Sequence, residues 1–283
     1  MLKILTEPLQ YTFMQRSIII AILIGLLCSI VGSYLMVQRL ALLGDAISHS
    51  VMPGLAVAFS LRIPIIIGAL SAAILSTLII AWIRNEYPLK EDTAIGIVFA
   101  SFFAIGIIFI SIIQKTNKID LNHFLFGNIL SVSIEDVINT SLIFVLVLVL
   151  TIGIYKELLF FTFDSLGAQV LGLPTKELNF SLMILITLTT VASMKVVGVV
   201  LVLALLIIPS AAAYLLVKRL HEIMTLGAGI GMLSSISGMY ISYYFNIPSG
   251  PAIVMVATSI FIISLIIYKI RYLFSIKTIL KKF

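Results

Sequence analysis

Long apolar runs without a charged residue repeat along almost the whole of this 283-residue chain. A helix needs about 20 apolar residues, within a range of about 17–25, to cross the hydrocarbon core of a bilayer. The runs are Ser17–Gln38, Ala46–Leu61, Ile63–Ile83, Thr93–Gln114, Val137–Tyr155, Leu178–Met194, Val196–Val217 and Ile223–Tyr268. The last run is long enough for two spans, separated by a Pro- and Gly-rich turn at 246–251. We therefore expect eight to nine transmembrane helices, nine if the short second and sixth runs each cross as broken or partial helices.

The composition excludes a water-soluble fold. Apolar residues make up 61% of the chain and charged residues 11%, with a mean hydropathy of +1.23. In an average soluble domain, about 45–50% of the residues are apolar and about 25% are charged. The net charge of +6 does not indicate nucleic-acid binding, because the Lys and Arg residues lie between the apolar runs and form no patch. The predicted fold class is all-α: a polytopic membrane bundle in a single transmembrane domain, residues 1–283.

The positions of the Lys and Arg residues predict the orientation of the bundle. Nine spans place the two termini on opposite sides of the membrane. If the C-terminus is cytoplasmic, twelve of the 18 Lys and Arg residues lie inside and six lie outside. The excess of positive charge on the cytoplasmic side favours this orientation. We expect a multi-pass protein with a cytoplasmic C-terminus.

Asp45 and His49 are the polar pair that stands out from the apolar pattern. Asp45 is the one carboxylate at or within an apolar run that is not plainly in a loop, and His49 follows four residues later. Residues four apart share a helix face, about 5–6 Å apart at Cβ, so both side chains can reach one small cation. Ionisable residues inside a membrane normally face an interior cavity. The spacing equally fits a structural pair in which Asp45 caps the start of the second span.

A carboxylate with an imidazole and no thiolate suits a first-row divalent ion. Oxygen ligands favour Mn²⁺, and imidazole extends the choice to Zn²⁺ and Fe²⁺. Two ligands are too few for a tight site, but two copies meeting on an axis would supply four. Such a site would release its ion readily, as conduction requires. His123, in the loop between spans four and five, is a weaker possible metal contact.

Four stretches of the sequence together resemble a known family. They are Gly44–Gly54, Glu91–Ile97, Leu125–Leu130 and Val197–Val202. These stretches are similar to the corresponding sequences in the integral membrane permeases of ABC importers for manganese, zinc and iron. The sequences around Asp92 and Phe126 are most similar to those of the manganese importers. The resemblance extends over nearly the whole chain.

This resemblance implies a type II ABC importer permease in a bacterial cell membrane. It implies a homodimer surrounded by membrane lipid, a cytoplasmic ATP-binding subunit and an extracellular or periplasmic metal-binding protein. It assigns Asp45 and His49 to the metal pathway. It also makes residues 156–179 the coupling loop that contacts the ATPase, with Asp164, Ala168 and Gly172 expected on one small face of a short helix.

The chain itself is expected not to be an enzyme, and no permanently bound cofactor is predicted. No glycine is followed by lysine, so the phosphate-binding loop of ATPases is absent from the sequence. ATP hydrolysis would belong to the partner subunit, and the divalent ion would be the transported substrate. The alternative is a proton-coupled secondary metal transporter. That class predicts inverted repeats with matching broken helices, and the Gly44–Gly54 pattern has no second copy in the sequence.

Overall fold

The computed structural model describes residues 7–114 and 129–280, with side chains described for 7–113 and 129–273. Within these ranges the chain is helical and contains no strand. The helices are α1 Thr12–Val37, α2 Ala41–Ser50, α3 Met52–Leu61, α4 Ile65–Glu86, α5 Glu91–Gln114, α6 Ile134–Gly153, α7 Tyr155–Phe163, α8 Ser165–Val170, α9 Thr175–Val197, α10 Val199–Leu216, α11 Leu220–Phe245 and α12 Ser249–Leu280. The prediction of an all-α membrane bundle is confirmed.

Nine helical segments of the described ranges are long and apolar enough to cross a membrane. This number agrees with the expected nine spans. The second span is interrupted, as expected, because it consists of α2 and α3 joined at Val51. The sixth, α9, is continuous over 23 residues, so the expectation of a broken or partial helix there is wrong. Its first turn contains charged residues, which had shortened the charge-free run without ending the helix.

The second span begins earlier than the charge-free run indicated. Arg39 adopts a left-handed backbone with φ of 61°, so the chain turns there and α2 starts at Ala41. At the other end of α2, Val51 keeps helical angles of −69° and −25°. Pro53 has no N–H to donate to the carbonyl of His49, and the N–H of Val51 binds that carbonyl instead. The interruption is therefore a one-residue irregularity inside a single span.

The loops of the bundle gather at two opposite ends. At one end, the α7–α8 junction and the α10–α11 turn line a cavity of about 470 Å³ that includes Asp164 and Lys218. At the other end, Arg62, Glu135 and Lys195 line a cavity of about 800 Å³. This grouping is the one that alternating spans require. The prediction that the first end faces the cytoplasm stays a prediction.

Small residues bring the central helices close together. The most buried spans are α1 and α9, whereas α5, α6 and α12 are largely exposed. A Cβ added to Gly25 of α1 would lie 2.8 Å from the carbonyl oxygen of Gly231 in α11, and one added to Gly231 would lie 2.5 Å from that of Gly25. Small residues permit this backbone approach in membrane bundles. Gly231 therefore sets how closely α11 approaches α1.

Two glycines of α11 that lie two residues apart test this contact. We expect Gly231→Ala to lower the free energy of unfolding by about 1–3 kcal/mol, because a methyl group there overpacks the crossing of α1 and α11. Gly229→Ala is the matched control: nothing lies within 4 Å of the added Cβ, and alanine is the better helix former. Thermal unfolding of the purified protein in detergent measures both changes. Equal losses in the two variants would contradict the close crossing.

Candidate metal site and coupling segment

Asp45 and His49 lie on one face of α2, as their spacing predicted. The Nε2 atom of His49 is 3.6 Å from Oδ1 of Asp45, which is too long for a hydrogen bond. Metal–ligand bonds of about 2.0–2.2 Å would let one ion contact both atoms with an angle of about 110–130° between them. In the isolated chain 50% of the Asp45 side chain and 28% of the His49 side chain are exposed. The pair is therefore open to an ion.

The alternative role of Asp45 as a helix cap is wrong. Helix α2 begins at Ala41 with Leu40 as its N-cap residue, so Asp45 lies a full turn inside the helix. The N–H groups that a helix leaves unpaired belong to its first turn, and the start of α2 has no side-chain cap hydrogen bond. The reason is the left-handed turn at Arg39, which the charge-free run could not reveal.

The neighbouring serines differ in their hydrogen bonding. The hydroxyl of Ser48 donates to the carbonyl oxygen of Gly44 at 2.9 Å. The hydroxyl oxygen of Ser50 and the Nδ1 atom of His49 are buried and have no hydrogen-bond partner among the described residues. Within those residues no group of three or more His, Cys, Asp or Glu side chains is placed to hold a metal. Within this part of the chain, Asp45 and His49 therefore offer two ligand atoms to an ion and not a complete site.

Two aromatic residues of α5 contact the site, and the sequence analysis had missed them. The rings of Phe99 and Phe103 each lie with their centroids 5.5 Å from that of His49. Their spacing of four residues, like that of Asp45 and His49, was the available signal. It carries no information about which helix the rings face. His123 lies outside the described residues, so its role stays a prediction.

The expected coupling residues do not share one exposed helix face. Asp164 is the N-cap of α8, and its Oδ1 accepts a hydrogen bond from the N–H of Gly167 at 2.8 Å. Ala168 is fully buried. Gly172 lies beyond the end of α8 with φ of 76°, a left-handed conformation that favours glycine. The three residues therefore shape the segment, and the expectation of a common face is wrong because α8 ends at Val170.

Three apolar side chains of this segment are exposed beside its polar residues. The exposed fractions are 75% for Leu166, 86% for Val170 and 69% for Leu171. These side chains lie in or directly after α8, the helix capped by Asp164. Exposed apolar groups that lie together mark interaction sites. This surface was also missed by the sequence analysis, which concentrated on the small residues of the same segment.

Arg84 connects three helices at the same end of the bundle. Its side chain is 13% exposed and pairs with Glu91 at the start of α5. Its Nη1 also donates to Oδ1 of Asn179 in α9 at 3.4 Å. Because α9 follows the α7–α8 segment and α5 contacts His49, these contacts connect that segment with the Asp45–His49 pair.

Comparison with known proteins agrees with this architecture. Residues 10–268 match the family described as the ABC 3 transport family, and the chain belongs to this family. It is therefore a membrane component of a transport system.

The alignments with similar proteins cover most of this chain and most of each relative. The chain is 55% identical to an uncharacterized membrane protein from the ycf23-apcF intergenic region of Cyanophora paradoxa, over 92% of this chain and 87% of that protein. It is 42% identical to the manganese transport system membrane protein MntC of Listeria monocytogenes, over 90% of this chain and 91% of that protein. Among solved structures, PsaBC from Streptococcus pneumoniae in complex with Fab matches with a TM-score of 0.81 and 38% identity, over 93% and 94%.

The exposed Asp45–His49 pair should not support the fold. We expect Asp45→Asn to change the free energy of unfolding of the metal-free protein by less than about 0.5 kcal/mol, because the carboxylate is half exposed and makes no hydrogen bond to His49. Thermal unfolding in detergent with a chelator measures this change. A fall of several degrees would instead indicate that the pair holds α2 together.

Proposed function

We propose that this chain is the membrane-spanning permease subunit of an ABC importer for a divalent transition metal, with Mn²⁺ as the favoured substrate. The observation that carries this function is the Asp45–His49 pair, open to an ion inside an interrupted span. The manganese transport relative supports Mn²⁺. Zn²⁺ and Fe²⁺ share the same ligand chemistry and are the next choices.

A second copy of the chain would complete the metal site. Asp45 lies within a span and yet half of its side chain is exposed in the isolated chain. A carboxylate facing lipid would be costly, so a partner copy or an aqueous pathway has to lie on that side. Two copies related by an axis would bring two carboxylates and two imidazoles to one ion. Four borderline ligands hold an ion loosely enough for it to leave.

A separate ATP-binding subunit would power the transport. We assign its docking to the α7–α8 segment, whose exposed Leu166, Val170 and Leu171 offer an apolar surface for it. Movement of this segment reaches α9 directly, because only four residues separate α8 from α9. Arg84 then connects α9 with α5, and α5 contacts His49. ATP binding by the partner could thereby alter the metal site.

The orientation follows from this assignment. The end of the bundle that carries Asp164 and the C-terminus would face the cytoplasm, and the end that carries Arg62, Glu135 and Lys195 would face outward. An extracellular or periplasmic metal-binding protein would deliver the ion at the outer end. His123, in the loop before α6, remains a possible weaker contact for the incoming ion. The membrane would be that of a bacterial cell.

Asp45→Asn should abolish most metal uptake while the protein still assembles. The amide is a poor ligand where the carboxylate is a good one, and we expect uptake to fall by at least about tenfold. Ser48→Ala is the matched control in the same helix, because its hydroxyl is engaged with Gly44. The measurement is metal content by mass spectrometry in cells lacking this chain and complemented with each variant. Normal uptake with Asp45→Asn would overturn the ligand role.

The same cells identify the substrate. They are grown in limiting manganese, zinc or iron in turn, and we expect the wild-type chain to restore manganese. Restoration of zinc or iron alone would retain the mechanism and change the ion. Uptake that survives loss of the ATPase and collapses with an uncoupler would contradict the proposal in favour of a proton-coupled carrier.

The hydrogen bond of Asp164 provides a test of the docking segment. Asp164→Ala removes the N-cap of α8, a loss of about 0.5–2 kcal/mol for a helix, and should weaken both ATPase co-purification and uptake. Asp164→Asn is the matched control, because asparagine caps as well as aspartate. Loss in both variants would show that the negative charge is needed and not the cap. Full activity in both would contradict docking at this segment.

A further inference from the structure

The imidazole of His49 lies in a corner formed by two aromatic rings. The ring planes of Phe99 and Phe103 make angles of 65° and 82° with it, both in edge-to-face geometry. The two phenyl rings are themselves nearly parallel, 19° apart in angle with centroids at 5.9 Å. Edge-to-face contacts are the favoured arrangement of such rings. Two of them from successive turns of α5 leave the imidazole little freedom to rotate.

This corner makes the two nitrogens of His49 unequal. Nδ1 is buried without a hydrogen-bond partner among the described residues, whereas Nε2 lies on the side of Asp45 at 3.6 Å. The nitrogen that binds a metal is normally decided by a hydrogen bond to the other one. At His49 the aromatic contacts take over that role.

The close contact between α5 and the interrupted span keeps these rings in register. Phe99, Phe103 and Gly106 follow each other at helical spacing on one face of α5. A Cβ on Gly106 would lie 2.5 Å from Cβ of Met52 and 3.1 Å from the backbone N of Pro53. Any side chain at this position would push α5 away from the interruption between α2 and α3. The rings of Phe99 and Phe103, which lie two turns and one turn before Gly106, would move with α5.

We propose that Phe99 and Phe103, held in register by Gly106, are positioning residues that orient His49 so that Nε2 alone faces Asp45 and the metal. They set how strongly the site holds its ion. The proposal rests on the proposed function, because it assigns these residues to the same site. It adds that metal binding depends on the packing of α5 and not on the ligands alone.

The test measures Mn²⁺ at the site directly. The permease is purified with its ATPase subunit, and Mn²⁺ binding is followed by electron paramagnetic resonance, with the hyperfine coupling to the imidazole nitrogen as the signature. We expect the double variant Phe99→Leu with Phe103→Leu to bind Mn²⁺ about tenfold more weakly and to lose or broaden that coupling. In uptake, its KM should rise more than its kcat falls. Phe99→Tyr and Phe103→Tyr, which keep the rings, should retain the coupling.

A second pair of variants covers the case in which the double variant does not assemble. Gly106→Ala should weaken the nitrogen coupling, whereas Gly96→Ala on the same helix, where nothing lies within 4 Å of the added Cβ, should leave it unchanged. An unaltered coupling and affinity in the leucine variant, or in Gly106→Ala, would overturn the positioning role while the metal site stands. If Asp45→Asn also leaves Mn²⁺ binding unchanged, the proposed site itself fails, and the positioning role falls with it.

Discussion

A chain that crosses a bilayer has to satisfy its own backbone hydrogen bonds, because hydrocarbon offers no partner for a free N–H or C=O group. This constraint explains why the described bundle is built of helices. It also explains why the interruption between α2 and α3, next to Asp45 and His49, is limited to one residue. At Val51 the chain departs from the regular pattern for one residue and keeps helical angles. Pro53 removes a donor there, and the N–H of Val51 replaces it at the carbonyl of His49. Asp45 and His49 thus lie beside the interruption of their span, and the backbone carbonyl of His49 has a hydrogen-bond partner.

The incompleteness of the site within one chain is consistent with transport. A permanent metal centre would need a closed set of ligands, and the described residues contain no group of three or more His, Cys, Asp or Glu side chains that could hold a metal. A half-exposed carboxylate inside a span is costly for an isolated copy. Under the proposed function, the missing ligands would come from a second copy of the chain on the exposed side of Asp45.

The bundle connects its two functional regions by short physical steps. The α7–α8 segment leads into α9, Asn179 of α9 contacts Arg84, and Arg84 pairs with Glu91 at the start of α5. Two turns further along α5, Phe99 reaches His49. Each step is a packed contact or a hydrogen bond at a helix end. Although much of α5 is exposed, the helix also packs against α2, α3 and α4, so the pair at Glu91 and the rings at His49 belong to one supported helix.

The sequence by itself predicted eight to nine spans, the alternation of their ends, and the common face of Asp45 and His49. Charge-free length and helical spacing are local properties, so no knowledge of distant residues was required. Only the tertiary structure decided that α2 begins at Ala41, that Ala168 is buried, and that Phe99 and Phe103 surround His49. The first depends on a left-handed turn at Arg39, and the other two depend on which helix faces pack together. In a chain where nearly every helix face is apolar, hydrophobic pattern cannot distinguish a face that meets lipid from one that meets a neighbouring helix.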